Sequence, residues 1–213
     1  MVEAAYRLAT QHLKLPEVHA IVGISLGGLQ VFEWGVRYPS YARRLVPIEG
    51  NPRQAIYGRA IWELIAKTCE DGLSGKLPMD STAVILARLS ILATTSPAAA
   101  NRRAASMYDQ YLANQVQSLR AVDLHEWAWH ARAILAHDVA RPFGGDVAQA
   151  ARRWQARTLV VTALHDHSID PQPAHDFARL IGADTLVIAS SAGHSAIFSD
   201  SAAKSAVRTF LSK

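Results

Sequence analysis

Ala20-Ile21-Val22-Gly23-Ile24-Ser25-Leu26-Gly27-Gly28-Leu29-Gln30-Val31-Phe32-Glu33-Trp34 is the stretch that decides how this chain is read. Ala20 to Ile24 is a short apolar run, the mark of a buried strand, and Leu29 to Trp34 reads as a helix. Gly23-x-Ser25-x-Gly27 lies at the junction, where it forms the pattern of a nucleophile elbow. A sharp strand-to-helix turn strains the serine backbone, and residues without Cβ let neighbouring chain pass closely. The turn lifts the Ser25 hydroxyl above the sheet and aims the Leu26 N–H at the same spot, as half of an oxyanion hole. An incidental serine in a glycine-rich turn is the competing reading; the flanking strand and helix weigh against it.

Outward from the elbow, strands and helices alternate. Residues 2–13 carry Val2, Ala5, Leu8, Ala9 and Leu13 at helical spacing. A strand over 19–25 and a helix over 29–38 follow, the helix stopped by Pro39. Residues 44–48 form a second strand, and 158–164 and 185–189 two more, with a helix pattern over 173–181 between them and a closing helix over 201–211. Continuous Val/Ile/Leu strands alternating with helices predict a mostly parallel sheet with helices on both faces. Three segments result: a core of 1–50 with the elbow, a helical insertion of 51–153 placed as a lid, and a core of 154–213. Helices are expected in the insertion over 55–67, 82–92, 101–119 and 124–136, separated by Gly/Pro/Ser punctuation.

A serine hydroxyl is a poor nucleophile at neutral pH; it needs a histidine to take its proton and a carboxylate to orient that histidine. Strand 158–164 runs into His165-Asp166-His167, and strand 185–189 into Ser190-Ser191-Ala192-Gly193-His194. Asp166 and His194 thus fall just past the carboxyl ends of their strands, on the same edge as Ser25. The chain order Ser, Asp, His is that of α/β-hydrolases. Asp170 and Glu49 are the alternative acids, Glu49 because it follows the second strand. His165 and His167 form a His-x-His pair without a third ligand at a telling spacing, so no metal site is expected. His12, His19, His125, His130, His137, His175 and Cys69 carry no motif and read as structural or surface residues.

Composition narrows the surroundings. With 213 residues, half of them hydrophobic, the chain is long enough for one domain with a substantial core. A single cysteine excludes an internal disulfide and fits a reducing compartment. No apolar run reaches a membrane span and no signal-peptide pattern is present, which points to the cytoplasm and away from membranes. The charge of +4 and pI near 9.4 rest on scattered arginine pairs, Arg43-Arg44, Arg102-Arg103 and Arg152-Arg153, without interleaved aromatics. Nucleic acid is therefore not an expected partner.

Gly23-Ile-Ser-Leu-Gly-Gly-Leu-Gln30, Phe32-Glu-Trp-Gly-Val-Arg-Tyr-Pro39 and Arg43-Arg-Leu-Val-Pro-Ile48 resemble the homoserine O-acetyltransferases, acyl-transferring members of the α/β-hydrolase superfamily. His137-Asp-Val-Ala-Arg141 with Gly144-Gly145 is similar to a lid segment of that family. The resemblance implies a ping-pong reaction. Ser25 takes an acetyl or similar acyl group from a coenzyme A thioester, which is a co-substrate rather than a resident cofactor. The hydroxyl of homoserine or a related small acceptor then attacks the acyl-enzyme. It also implies His194 as general base and acid, Asp166 as its orienting partner, and the Leu26 N–H as oxyanion donor. Arg120 matches an arginine that holds the substrate carboxylate, for which a bidentate guanidinium is suited.

Two positions depart from the family. Ser195 stands where an aspartate binds the substrate amino group, and Trp127 where a tyrosine is usual. A pocket without a buried carboxylate holds an ammonium poorly. The family also has strands before the elbow strand, and one of their loops supplies the second oxyanion donor. This chain begins at the helix before the elbow strand, so the expectation is a core incomplete at its N-terminus with an open edge, covered by a second copy or a partner chain. Carboxylic-ester hydrolysis by the same triad, and a catalytically inactive truncated homologue, are the alternatives to acyl transfer.

Overall fold

A computed structural model describes residues 1–212. The elements are α1 (Val2–Arg7), continued by a π-helical turn over Leu8–His12, then β1 (Val18–Ile24), α2 (Leu26–Arg37) and β2 (Ala42–Ile48). Six helices follow: α3 (Ile56–Leu73), α4 (Met79–Thr94), α5 (Pro97–Ala100), α6 (Tyr108–Arg120), α7 (Leu124–Ala136) and α8 (Val147–Ala151). The chain then returns to the sheet as β3 (Arg157–Ala163), α9 (Gln172–Ile181), β4 (Asp184–Ile188), α10 (Ala196–Ser199) and α11 (Ser201–Ser212).

The four strands form one parallel sheet in the order β1-β2-β3-β4. Alternation along each strand divides the core, because successive side chains point to opposite faces. Val46, Ile48, Leu159 and Val161 meet Val207 and Phe210 of α11 on one face. On the other, Val160 meets Phe32 and Val36 of α2 and Phe177 of α9, and Leu45 meets Val31 and Trp34. The helix α9 ends at Gly182, whose φ of +63° a side chain would strain.

A further core belongs to the insertion. Trp62, Ile65, Ala66 and Cys69 form one stripe of α3 and face Leu124, Ala128, Ala131 and Ile134 of α7, with Leu86 of α4 and Val116 of α6 completing the layer. This layer also takes in Leu29 of α2 and Ile169 of the loop after β3, so it is joined to the carboxyl edge of the sheet.

The sequence boundaries shift in two informative places. α2 starts at Leu26 rather than 29, directly after the serine. The expected helix over 101–119 begins only at Tyr108, because α5 ends at Ala100 and the intervening chain turns Arg103 over the ring of Tyr111, 4.3 Å from its centroid.

Candidate active site

Three loops leave the carboxyl edge of the sheet with their first residues still bonded into it. Ser25 N–H donates to Ile48 O at 2.9 Å, Glu49 N–H to Val161 O at 2.8 Å, and Leu164 N–H to Ile188 O at 3.0 Å. The ladder therefore fixes the start of each loop before any side chain acts. Ser25 follows with φ +57° and ψ −120°, a strained backbone for a residue with Cβ. The glycines around it answer a steric demand. A Cβ on Gly23 would lie 2.2 Å from Gly27 O, and one on Gly28 would lie 2.6 Å from Ile48 O. Gly27 itself has open space at its Cβ position; its backbone is what Gly23 must clear. Gly50 is the counterpart of Gly28, and its own Cβ would meet the Gly28 carbonyl carbon at 2.5 Å.

Ser25 Oγ lies 2.7 Å from His194 Nε2, and His194 Nδ1 lies 2.7 Å from Asp166 Oδ2. A carboxylate only accepts, so Nδ1 carries the proton and Nε2 presents its lone pair to the serine hydroxyl, which donates. Asp166 is 5% exposed, and its Oδ1 accepts the N–H groups of Ser168 and Ile169, each at 2.9 Å. Those bonds hold the carboxylate still. Burial works against a charged imidazole, but the hydrogen bond and charge of Asp166, with Glu49 behind, outweigh it and hold the His194 pKa above its ordinary value. Ser25 is the N-cap of α2 and makes no side-chain cap bond, so the first N–H groups of the helix, Leu26 among them, start at the nucleophile.

A family model described as the alpha/beta hydrolase fold matches residues 1–201. The chain belongs to this family. An ethyl acetate hydrolase from Pseudomonas veronii is 28% identical over 181 residues, 78% of this chain and 51% of that protein. A homoserine O-acetyltransferase from Trichormus variabilis is 28% identical over 210 residues, 89% of this chain and 57% of that protein. The crystal structure of an acetylester hydrolase from Corynebacterium glutamicum shares the fold with a TM-score of 0.85 at 24% identity, covering 99% of this chain and 64% of that one. Esterases and homoserine O-acetyltransferases are thus both relatives of this α/β-hydrolase, and the chain spans little more than half the length of the two curated relatives.

The remaining expected site residues are placed as follows. Asp170 is not bonded to the histidine; its Oδ1 accepts the N–H of Gln172, the first residue of α9. Glu49 bonds the Ile197 amide rather than His194. Arg120 is exposed at the end of α6, bound at 2.7 Å to Asp80. With that aspartate it lines a small cleft formed with Met79, Thr82 and Leu124, which contains none of Ser25, Asp166 and His194. The structure thus shows Arg120 in an exposed pair with Asp80 and in no contact with the triad among the described residues. Trp127 packs against the same apolar layer as Leu26, so the insertion closes over the elbow helix there. The side chain of Ser195 lies outside what is described. His167 sets its ring edge-on to Tyr57, with centroids 6.2 Å apart.

Several residues near the site carried no motif. Ser96 caps α5 at Ala99 N–H and donates to Ser191 O, tying the insertion to the histidine loop. A Cβ on Gly193 would lie 2.5 Å from Thr94 O, so the two segments touch along their backbones. Trp62 Nε1–H donates to Ser168 O at 3.1 Å, a second tie, to the aspartate loop. His130 tilts over Trp62, centroids 5.7 Å apart, and desolvation followed by the nearby His194 lowers its pKa. The Ser96-Pro97 pair is itself a helix-start signal; the others depend on contacts far apart in sequence. His137 bonds Asn51 O at 3.1 Å, and burial takes it down to about 4, which keeps it neutral. Burial pushes the Cys69 thiol up to about 11, an inert packing residue.

Proposed function

We propose that this α/β-hydrolase moves small acyl groups through a Ser25 acyl-enzyme, with water as the acceptor. Ser25 Oγ attacks the acyl carbon while His194 Nε2 takes its proton. Asp166 stabilises the imidazolium that forms, and the Leu26 N–H at the start of α2 meets the developing oxyanion. His194 then gives the proton to the departing alcohol or thiol. A water, deprotonated by the same nitrogen, releases the acid and restores the serine. The observation that carries the acyl-enzyme is the continuous Ser25–His194–Asp166 hydrogen-bond chain, each link 2.7 Å, which serves water and a hydroxyl acceptor alike.

Transfer to an amino-acid hydroxyl is the second reading, favoured by the likeness to a homoserine O-acetyltransferase over 89% of the chain. Arg120 supports it poorly, since the cleft that Arg120 lines contains none of Ser25, Asp166 and His194. Turnover of 4-nitrophenyl acetate and of acetyl-CoA, each with and without homoserine, separates the two. Hydrolysis expects ester turnover that homoserine does not accelerate. Acetyl-CoA consumption that depends on homoserine would establish transfer instead.

A further inference from the structure

A second carboxyl group lies behind the histidine and takes no part in the Ser25–His194–Asp166 chain. Glu49 directly follows β2 at the sheet's carboxyl edge with φ +48°, a left-handed conformation that residues with Cβ seldom adopt. It is 2% exposed. Its Oε1 accepts the Ile197 N–H at 3.1 Å, three residues beyond His194, and its Oε2 is buried without a hydrogen-bond partner among the described residues. A buried carboxylate short of donors is costly, and the cost is reduced if it carries a proton.

We propose that Glu49 is a positioning residue for His194, anchoring the turn that carries the imidazole and setting, through its own charge, how readily the imidazole takes up a proton. This rests on the reading of Ser25, His194 and Asp166 as the acyl-transfer triad. Burial pushes the Glu49 carboxyl up to about 7, against the pull of His194 and of the Ile197 and, more weakly, Ala196 amides, while Asp166 pushes it further up. The groups that bear on it come from the loops after β3 and β4, Asp166 and His194; from the insertion, His130 of α7 bears on His194. In turn Glu49 raises the His194 pKa, so the two titrate as a coupled pair. Below neutrality Glu49 is an uncharged anchor. Above it the carboxylate adds a second negative charge beside the imidazolium of the transition state.

Wild type and Glu49→Gln are compared in three measurements on the same full chain. In the first, glutamate carboxyl carbons are followed by NMR against pH. One wild-type resonance should have a midpoint near 7 and vanish in the variant. In the second, the His194 ring, assigned by its loss in His194→Ala, should titrate lower in the variant by about half a unit or more. In the third, kcat/KM for 4-nitrophenyl acetate should match within about twofold at pH 6 and fall about three- to tenfold below wild type at pH 8.5. A glutamate set that all titrates in the ordinary range, or an unchanged His194 titration, would overturn the proposal. If Glu49→Gln does not fold, the wild-type carboxyl titration and a matching second inflection in the His194 shift decide alone. Absence of turnover in the wild type would count against the triad reading, whereas the two NMR titrations would still report on the Glu49–His194 coupling.

Discussion

Ser25 presents its hydroxyl to His194 from a strained backbone, in a turn that Gly23 and Gly27, two residues to either side, allow to close. The role of Gly23 is steric and that of Gly27 is clearance, which gives the two glycines opposite sensitivities. Gly23→Ala is expected to cost about 3 kcal/mol by driving a methyl into Gly27 O. Gly27→Ala, at a helical position with open space, should be neutral or stabilising by up to about 1 kcal/mol. Urea denaturation of the two variants checks the contrast. Asp166→Asn would present an amide where Nδ1–H needs an acceptor, and is expected to lower kcat on the order of 10⁴-fold with folding intact. Because His194 is held above its ordinary pKa, activity should fall as pH drops through that raised value, where Nε2 becomes protonated. Glu49 makes a stability prediction of its own. Its folded pKa, about 7, exceeds the ordinary 4.5, so the favourable contribution is complete below about 4.5 and is lost as pH rises through 7. Wild type should therefore lose stability relative to Glu49→Gln across that window in denaturation at matched pH. At this scale Ser25, Asp166 and His194 were legible because a hydroxyl, a carboxylate and an imidazole each follow a strand. Gly50 and the anchoring role of Glu49 were not, since both arise from contacts that no local pattern encodes.

At the scale of elements, the insertion is bound to the catalytic loops by a few bonds from identifiable positions. Ser96 serves two partners at once, capping α5 and holding the histidine loop at Ser191 O. Ser96→Ala is expected to cost about 1–2 kcal/mol and to lower kcat several-fold with KM little changed, read by thermal melting and steady-state kinetics. Strand boundaries were readable to within a residue or two from bounded apolar runs, but the expected burial holds for β2 and β3 only: β1, read as a buried strand, and β4 are the sheet's two edges and stay partly exposed. α7 matches the helix expected over 124–136, whereas α3 runs six residues past the expected end at 67, to Leu73, and so takes Cys69 into its buried face. The start of α6 was not, because the segment from Asn101 to Met107 reads as helical by composition yet leaves the helix after α5. The partner of Arg120 was not legible at this scale either. The position of Arg120 on α6 follows from sequence, but its choice of Asp80 across the α4–α6 surface is tertiary.

For the whole molecule, the consequence that matters is at the sheet edge. β1 pairs with β2 alone among the described residues. Its Val22 and Ile24 register with Val46 and Ile48, whose side chains are covered by α11, yet they remain 45% and 36% exposed. An apolar edge of this kind favours association, so the chain is expected to self-associate with rising concentration, and Val22→Lys to reduce it in sedimentation velocity runs. No helix among the described residues is long and apolar enough to cross a membrane. The central claim, that Ser25 is an activated nucleophile, is tested most directly by fluorophosphonate labelling of the purified chain with the modified peptide located by mass spectrometry. The account predicts modification at Ser25 that disappears in His194→Ala. A folded chain that remains unlabelled, or labelling that persists without His194, would contradict it.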